Sequence, residues 1–248
     1  SMSDSTRVAI VTGGGGGIGS AIARQLAAGG LSVAVWDLDV NRAAAVAAAL
    51  PTSAIGLGVD VTDLASVTAG LVDTTAALGS PDAVVNNAGI DVIGPFIDSD
   101  PDDWHRILAI NLVGVFNVCR AVLPAMVDRT GGTMVNIGSD AGRVGSSGEA
   151  VYSASKGGVI AFTKTLAREH ARHGLTVNCV CPGPTDTALL DQVAEADQRL
   201  YDGLARAIPL RRIAEPDDIA RVVAFMASPS AGYMTGQTLS VSGGLTMS

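Results

Sequence analysis

The sequence predicts a doubly wound α/β fold: one parallel sheet of about seven strands with helices on both faces. Short β-branched runs alternate with amphipathic segments along most of the chain, which demands crossover connections and hence parallel strand pairing. A run of five glycines, Gly13 to Gly17, separates the first apolar run from the first helical segment. The chain has 248 residues, 48% apolar and only 16% charged. That suffices to bury roughly 75% of the unfolded surface and excludes intrinsic disorder.

The elements follow in order. Arg7 to Thr12 is a strand, and Ile18 to Ala28 is the helix beyond the glycine loop. Ser32 to Trp36 is the second strand, Asn41 to Leu50 an alanine-rich helix of high propensity, and Ala54 to Val59 the third strand. Asp63 caps a helix running to Leu78. Asp82 to Asn86 is a strand, Pro101 to Asp128 a long helix, Thr133 to Gly138 a strand, Ala150 to His173 a helix and Leu175 to Cys181 a strand. The segment 184–208 reads as a polar helical flap over a pocket. A helix from Pro216 to Ala227 and a strand from Gln237 to Val241 close the chain. Without a repeat or a linker, a single domain over 1–248 is expected.

Charge and cysteine content narrow the partners. Sixteen Lys and Arg against 24 Asp and Glu give a net charge of −8, which argues against nucleic acid or an anionic membrane and for a small-molecule ligand. Cys119, Cys179 and Cys181 form no CxxC pair, and no leader is visible, so a reducing, cytoplasmic setting is expected. The apolar stretches read as broken before the ~18 residues a spanning helix needs. His170 and His173 lack a third ligand and are read as helix-end residues, with no metal expected.

Two constellations carry chemistry. Gly13, Gly17 and Gly19 follow a strand and open the Ile18 helix, and Asp37 ends the second strand, 24 residues after Gly13. Glycines admit a pyrophosphate to the backbone, a helix N-terminus offers free N–H groups, and a carboxylate accepts the ribose hydroxyls. Asp37 would repel a 2′-phosphate, and neither the glycine loop nor Leu38 supplies a balancing cation, so NAD is expected over NADP. In the second constellation Tyr152 and Lys156 lie four apart on a helix and project from one face. A phenol of pKa about 10 serves as a base near neutrality only if its phenolate is stabilised, which Lys156 and a nicotinamide's charge would do. Ser139 stands at a strand's C-terminal end, and Asn111 is a polar residue among apolar helical neighbours.

With TGGGGGIG at 12–19, NNAG at 86–89, Asn111, Ser139, YSASK at 152–156 and PGPTDT at 182–187 in order, the chain resembles the classical short-chain dehydrogenase/reductase family throughout. The resemblance implies a Rossmann fold and a homotetramer built on the two long helices. It places Asp60 and Val61 at the adenine, and Asn86, Asn87, Ala88 and Gly89 on the adenosine side. It makes Tyr152 the acid/base and puts Lys156 on the nicotinamide ribose. Ser139 would orient the substrate, Asn111 would hold a relay water, and Pro182, Gly183, Thr185 and Thr187 would hold the carboxamide; family members often have Ile or Val where Thr185 stands. Within the family, the segments around 139–158, 166–178 and 235–247 are similar to dehydrogenases of a cyclic β-hydroxyacyl-CoA, 2-hydroxycyclohexanecarboxyl-CoA. A 3-oxoacyl-ACP reductase is the rival. Such enzymes normally use NADPH and dock an acidic carrier, against which Asp37 and the net charge count, although Arg129 and Arg172 offer a local basic spot. A non-catalytic dinucleotide-sensing module is the alternative of another class. Arg143 and Glu149 either face substrate or pair with each other, and Asp91 either caps a turn or reaches the pocket mouth. Trp36 and Trp104 are read as packing residues.

Overall fold

The computed structural model describes residues 6–187, 190 and 198–247. Strand β1 (Val8–Thr12) leads through the glycine loop into α1 (Gly17–Ala28), followed by β2 (Ser32–Asp37), α2 (Val40–Ala48), β3 (Ala54–Gly58) and α3 (Leu64–Leu78). Then come β4 (Ala83–Asn86), α4 (Pro101–Leu108), α5 (Gly114–Asp128), β5 (Gly132–Ile137), a short α6 (Ala141–Val144) and α7 (Ala150–His170). The chain continues through β6 (Leu175–Pro182), α8 (Gln198–Ala207), α9 (Pro216–Met226) and β7 (Thr238–Val241). Seven strands form one sheet in the order β3-β2-β1-β4-β5-β6-β7. Every neighbouring pair is parallel. The strand order reverses between β1 and β4, opening a crevice at their C-terminal ends, where such sheets take ligands.

Burial on both faces explains why β1 (VAIVT) and β2 (SVAVWD) read as continuous apolar runs rather than alternating ones. One core layer joins the sheet to α1 and α9 through Ile22, Leu26, Ile219, Val223 and Met226. The other joins it to α3, α5 and α7 through Trp36, Val67, Val122, Met126, Val159 and Leu166. Each such large side chain contributes about 1.5–3 kcal/mol when fully buried. Helix α2 lies close on β3: a Cβ on Gly56 would lie 2.4 Å from the Ala43–Ala44 backbone, so position 56 takes only glycine, and Ala43 and Ala47 face the sheet. Both tryptophans pack as expected, Trp36 donating Nε1–H to Thr74 at 3.0 Å and Trp104 stacking on Phe96.

The long helix differs from its prediction in two ways. It is interrupted by a π turn at Ala109–Val113, centred on Asn111. By length and composition the run Pro101–Asp128 also reaches what a bilayer crossing needs, 28 residues with a mean hydropathy of 1.8 over its best window, contrary to the expectation from the sequence. Val115, Val118, Cys119, Val122 and Met126 pack on the sheet, whereas Leu108, Val113 and Phe116 remain exposed. Helix α7 ends at His170 and passes through a 3-10 turn, Ala171–His173, to Gly174 in the left-handed region (φ +72°). Of the expected flap over 184–208, positions 188–189 and 191–197 lie outside the described residues, and its far end is α8.

Candidate active site

At the crevice the glycine loop forms a backbone cradle without side chains. Gly13 and Gly17 hold φ values of +60° and +53°, which favour glycine. A Cβ on Gly19 would sit 2.1 Å from the Gly13 carbonyl oxygen, and one on Gly13 2.8 Å from the Ala88 Cα. Helix α1 begins at Gly16 without a side-chain cap, so its first N–H groups are not claimed by one. Ile18 packs inward against the α1 and α9 core layer. This floor fits a dinucleotide's pyrophosphate.

Neighbouring loops complete the floor. Thr12 Oγ1 accepts the backbone N–H groups of Asn87 and Ala88 at 3.0 and 3.1 Å, and Asn87 Nδ2 donates to the carbonyls of Thr12 and Gly13, both at 3.1 Å. Asn86 is turned the other way: its Nδ2 donates to Asn136 Oδ1 at 2.8 Å inside the core, so its side chain does not line the crevice as the resemblance implied. Asp60 receives the N–H and hydroxyl of Thr62, and the Val61 carbonyl receives Asn117 Nδ2 at 2.9 Å. The loop after β6 rises opposite: Gly183 packs on Ser242, the Thr185 hydroxyl donates to the Gly183 carbonyl at 2.9 Å, and Thr187 approaches Gly17. Pro182 is buried at the end of β6.

Asp37 stands where expected and accepts the Gly15 N–H at 2.9 Å and the Asp39 N–H at 3.0 Å. A cation that the sequence reading did not count stands beside it. Arg42, in the first turn of α2, donates Nε–H to the Gly15 carbonyl at 3.2 Å, and its guanidinium covers Gly16. Position 42 is five beyond Asp37, and only the tight β2–α2 turn returns it to the loop.

The second constellation assembles as predicted. Asn111 is fully buried and grips one residue twice: its Oδ1 accepts the Ile90 N–H and its Nδ2 donates to the Ile90 carbonyl, each at 2.8 Å. The π turn brings it there, adding a residue to the helix so that the amide meets the end of the β4 loop. Asn111 Nδ2 also donates to Ser155 Oγ at 3.2 Å, and Ser155 donates to the Tyr152 carbonyl at 2.7 Å. Lys156 is buried, donates Nζ–H to the Ile137 carbonyl at 2.9 Å and lies 5.7 Å from the centre of the Tyr152 ring. Gly89 is the small residue above both: its Cβ would lie 3.3 Å from Asn111 Oδ1 and from Lys156 Nζ. Ser139 receives the Ala141 N–H at 3.1 Å, and its hydroxyl faces that of Tyr152.

Electrostatics correct one expectation. Burial pushes the Tyr152 phenol well above its usual value, with Ser139 pulling it down and Glu149 and Asp91 adding to the rise. Burial also lowers Lys156, to about 8. The resting phenol is therefore an acid, and the stabilised phenolate expected from the sequence is not what the protein alone provides. Arg143 does not pair with Glu149; it lies 4.0 Å from Asp140, a buried carboxylate that receives the Ser240 hydroxyl. Arg129 is engaged with Asp82, and Arg172 with His173.

Fold and site together define a dinucleotide-dependent oxidoreductase of the Rossmann type. The chain matches, over residues 13–246, the family described as enoyl-(acyl carrier protein) reductase, and it belongs to the short-chain dehydrogenase/reductase family. It is 42% identical over 243 residues to acetoacetyl-CoA reductase of Shinella zoogloeoides, covering 96% of this chain and 98% of the relative. It is 40% identical over 241 residues to 3-oxoacyl-(acyl-carrier-protein) reductase FabG of Escherichia coli, covering 97% and 98%. It is 39% identical over 245 residues to 2-(S)-hydroxypropyl-CoM dehydrogenase 3 of Xanthobacter autotrophicus, covering 96% of each.

Proposed function

We propose that this protein interconverts 3-oxoacyl and 3-hydroxyacyl thioesters with NAD(H). The observation that carries the reading is the convergence of Ser139, Tyr152, Lys156 and Asn111 beside the glycine cradle. The names of the acetoacetyl-CoA and 3-oxoacyl relatives support a linear thioester over the cyclic one that the sequence segments suggested. A cavity of about 190 Å³ beside Val92 and Val151 offers space for an acyl group, its wall mixing Ile93, Phe96 and Trp104 with Asp98, Asp100 and Asp103.

When bound, the dinucleotide supplies or accepts the hydride. Tyr152 donates its proton to the keto oxygen in reduction and takes it back in oxidation, while Ser139 holds the same oxygen. Lys156, its ammonium largely retained at neutral pH, steadies the charge left on the phenolate. Asn111 fixes the floor through Ile90 and leads the proton outward. We assign Asp60, Val61, Asn87, Ala88 and Gly89 to the adenosine side, and Pro182, Gly183, Thr185 and Thr187 to the carboxamide side. We take the assembly to be a cytoplasmic homotetramer formed through α4–α5 and α7.

Replacing Tyr152 with Phe tests the reading. Reduction of acetoacetyl-CoA should fall about 10²–10⁴-fold, while NADH binding, followed by fluorescence, stays within about twofold of the parent. Turnover that survives the change rejects the assignment. Absence of turnover in the parent protein on CoA and ACP thioesters alike would leave only a dinucleotide-sensing module.

A further inference from the structure

Two carboxyl groups that the mechanism does not use meet at the open side of the site. Asp91 lies on the segment after β4, and Glu149 just before α7. Both segments are clipped: Ile90 is gripped by Asn111, and Gly94 donates its N–H to the Gly148 carbonyl at 2.9 Å. The two side chains therefore cannot swing apart cheaply. Asp91 Oδ1 accepts the Val92 N–H at 2.7 Å, whereas Oδ2 is buried and receives no donor. Glu149 makes no cap bond to its helix; its carboxyl faces Asp91. Among the described residues no cation bridges them, since Lys156 donates to Ile137 and Arg143 is turned to Asp140.

An ionised carboxylate only accepts hydrogen bonds, so two in contact leave an oxygen unsatisfied and repel. One proton between them removes both problems, as in other carboxyl pairs. We propose that Asp91 and Glu149 share one proton and that the charge on this pair sets the proton affinity of Tyr152. The second half rests on the reading of Tyr152 as the acid/base. Burial first, and Glu149 next, push the Asp91 carboxyl up to about 7, against the opposing pull of the Val92 N–H and Lys156. The groups bearing on the pair and on Tyr152 are thus Lys156, Ser139 and Cys181. With the shared proton in place the pair carries one negative charge, and without it two. Each added charge makes the phenol hold its proton harder, so ketone reduction persists to higher pH and alcohol oxidation is held back.

Asp91→Asn keeps the shape and the acceptor for Val92 but fixes the pair at one charge, and Glu149→Gln does the same from the other side. Infrared titration of the cofactor-free protein should show a protonated-carboxyl absorption that persists to near neutral pH and is lost in both variants. That readout needs no substrate. In parallel, the alkaline limb of kcat/KM for acetoacetyl-CoA reduction should move down by about one pH unit in each variant. An unchanged infrared band, or a lower rate with no movement of the limb, overturns the proposal. If Asp91→Asn does not fold, Glu149→Gln decides alone. Turnover retained by Tyr152→Phe together with the expected infrared result would place the fault in the acid/base reading and leave the shared proton standing.

Discussion

Asp37 and Arg42 show how far single residues carry coenzyme choice. The carboxylate ties the glycine loop to β2 and repels a 2′-phosphate, whereas the guanidinium on the same loop attracts one. Asp37 ends the strand within the crevice and Arg42 is exposed to solvent, so the carboxylate should prevail and NADH should bind more tightly than NADPH. Replacing Asp37 with Ser leaves Arg42 unopposed, and the preference should shift toward NADPH by about tenfold or more, read by paired fluorescence titrations. Tighter NADPH binding by the parent would remove the role given to Asp37. The glycines with Asp37, on β1–α1–β2, and Ser139 with Tyr152 and Lys156, on β5 to α7, were legible because within each group the spacing is local. Arg42 and the Asp91–Glu149 contact were not, since a turn geometry brings the first into place and two distant loops make the second.

Among the elements, the strands were the most legible, because a sheet buried on both faces needs nearly every residue apolar. The π turn was not, because it arises from what Asn111 reaches rather than from any propensity. Asn111→Ala would strip partners from the partly buried N–H and C=O of Ile90, at up to about 1–3 kcal/mol for each group left unsatisfied. For a chain of this size that is a fall in Tm of several degrees, about 5 °C or more. Calorimetry with and without NADH checks it: the bound form should lose at least as much, because the floor under the coenzyme loosens. A Tm unchanged within error would show that Ile90 finds other partners.

Over the whole molecule, the parallel sheet was legible from the alternation of strands and helices, but neither its strand order nor the apolar outer face of α4–α5 followed from periodicity. Leu108, Val113 and Phe116 form an apolar outer strip on α4–α5, and Phe116 meets Phe162 of α7 at a ring distance of 4.6 Å. That strip adds to the apolar face on the sheet in giving the helix its membrane-spanning composition, and under the proposed assembly it is the face that a neighbouring copy would cover. Phe116→Lys should therefore shift the sedimentation profile from the assembled form toward smaller species while the circular dichroism stays native. An unaltered profile would move the contact elsewhere.

The Thr12–Asn87 knot has a bearing on ancestry and engineering alike. Residues 75 positions apart co-author the surface beneath the pyrophosphate, so the N-terminal glycine motif is only half of a binding unit. A chimera that imports this motif from a cousin without its counterpart beyond β4 inherits the recognisable letters and loses the footing under them.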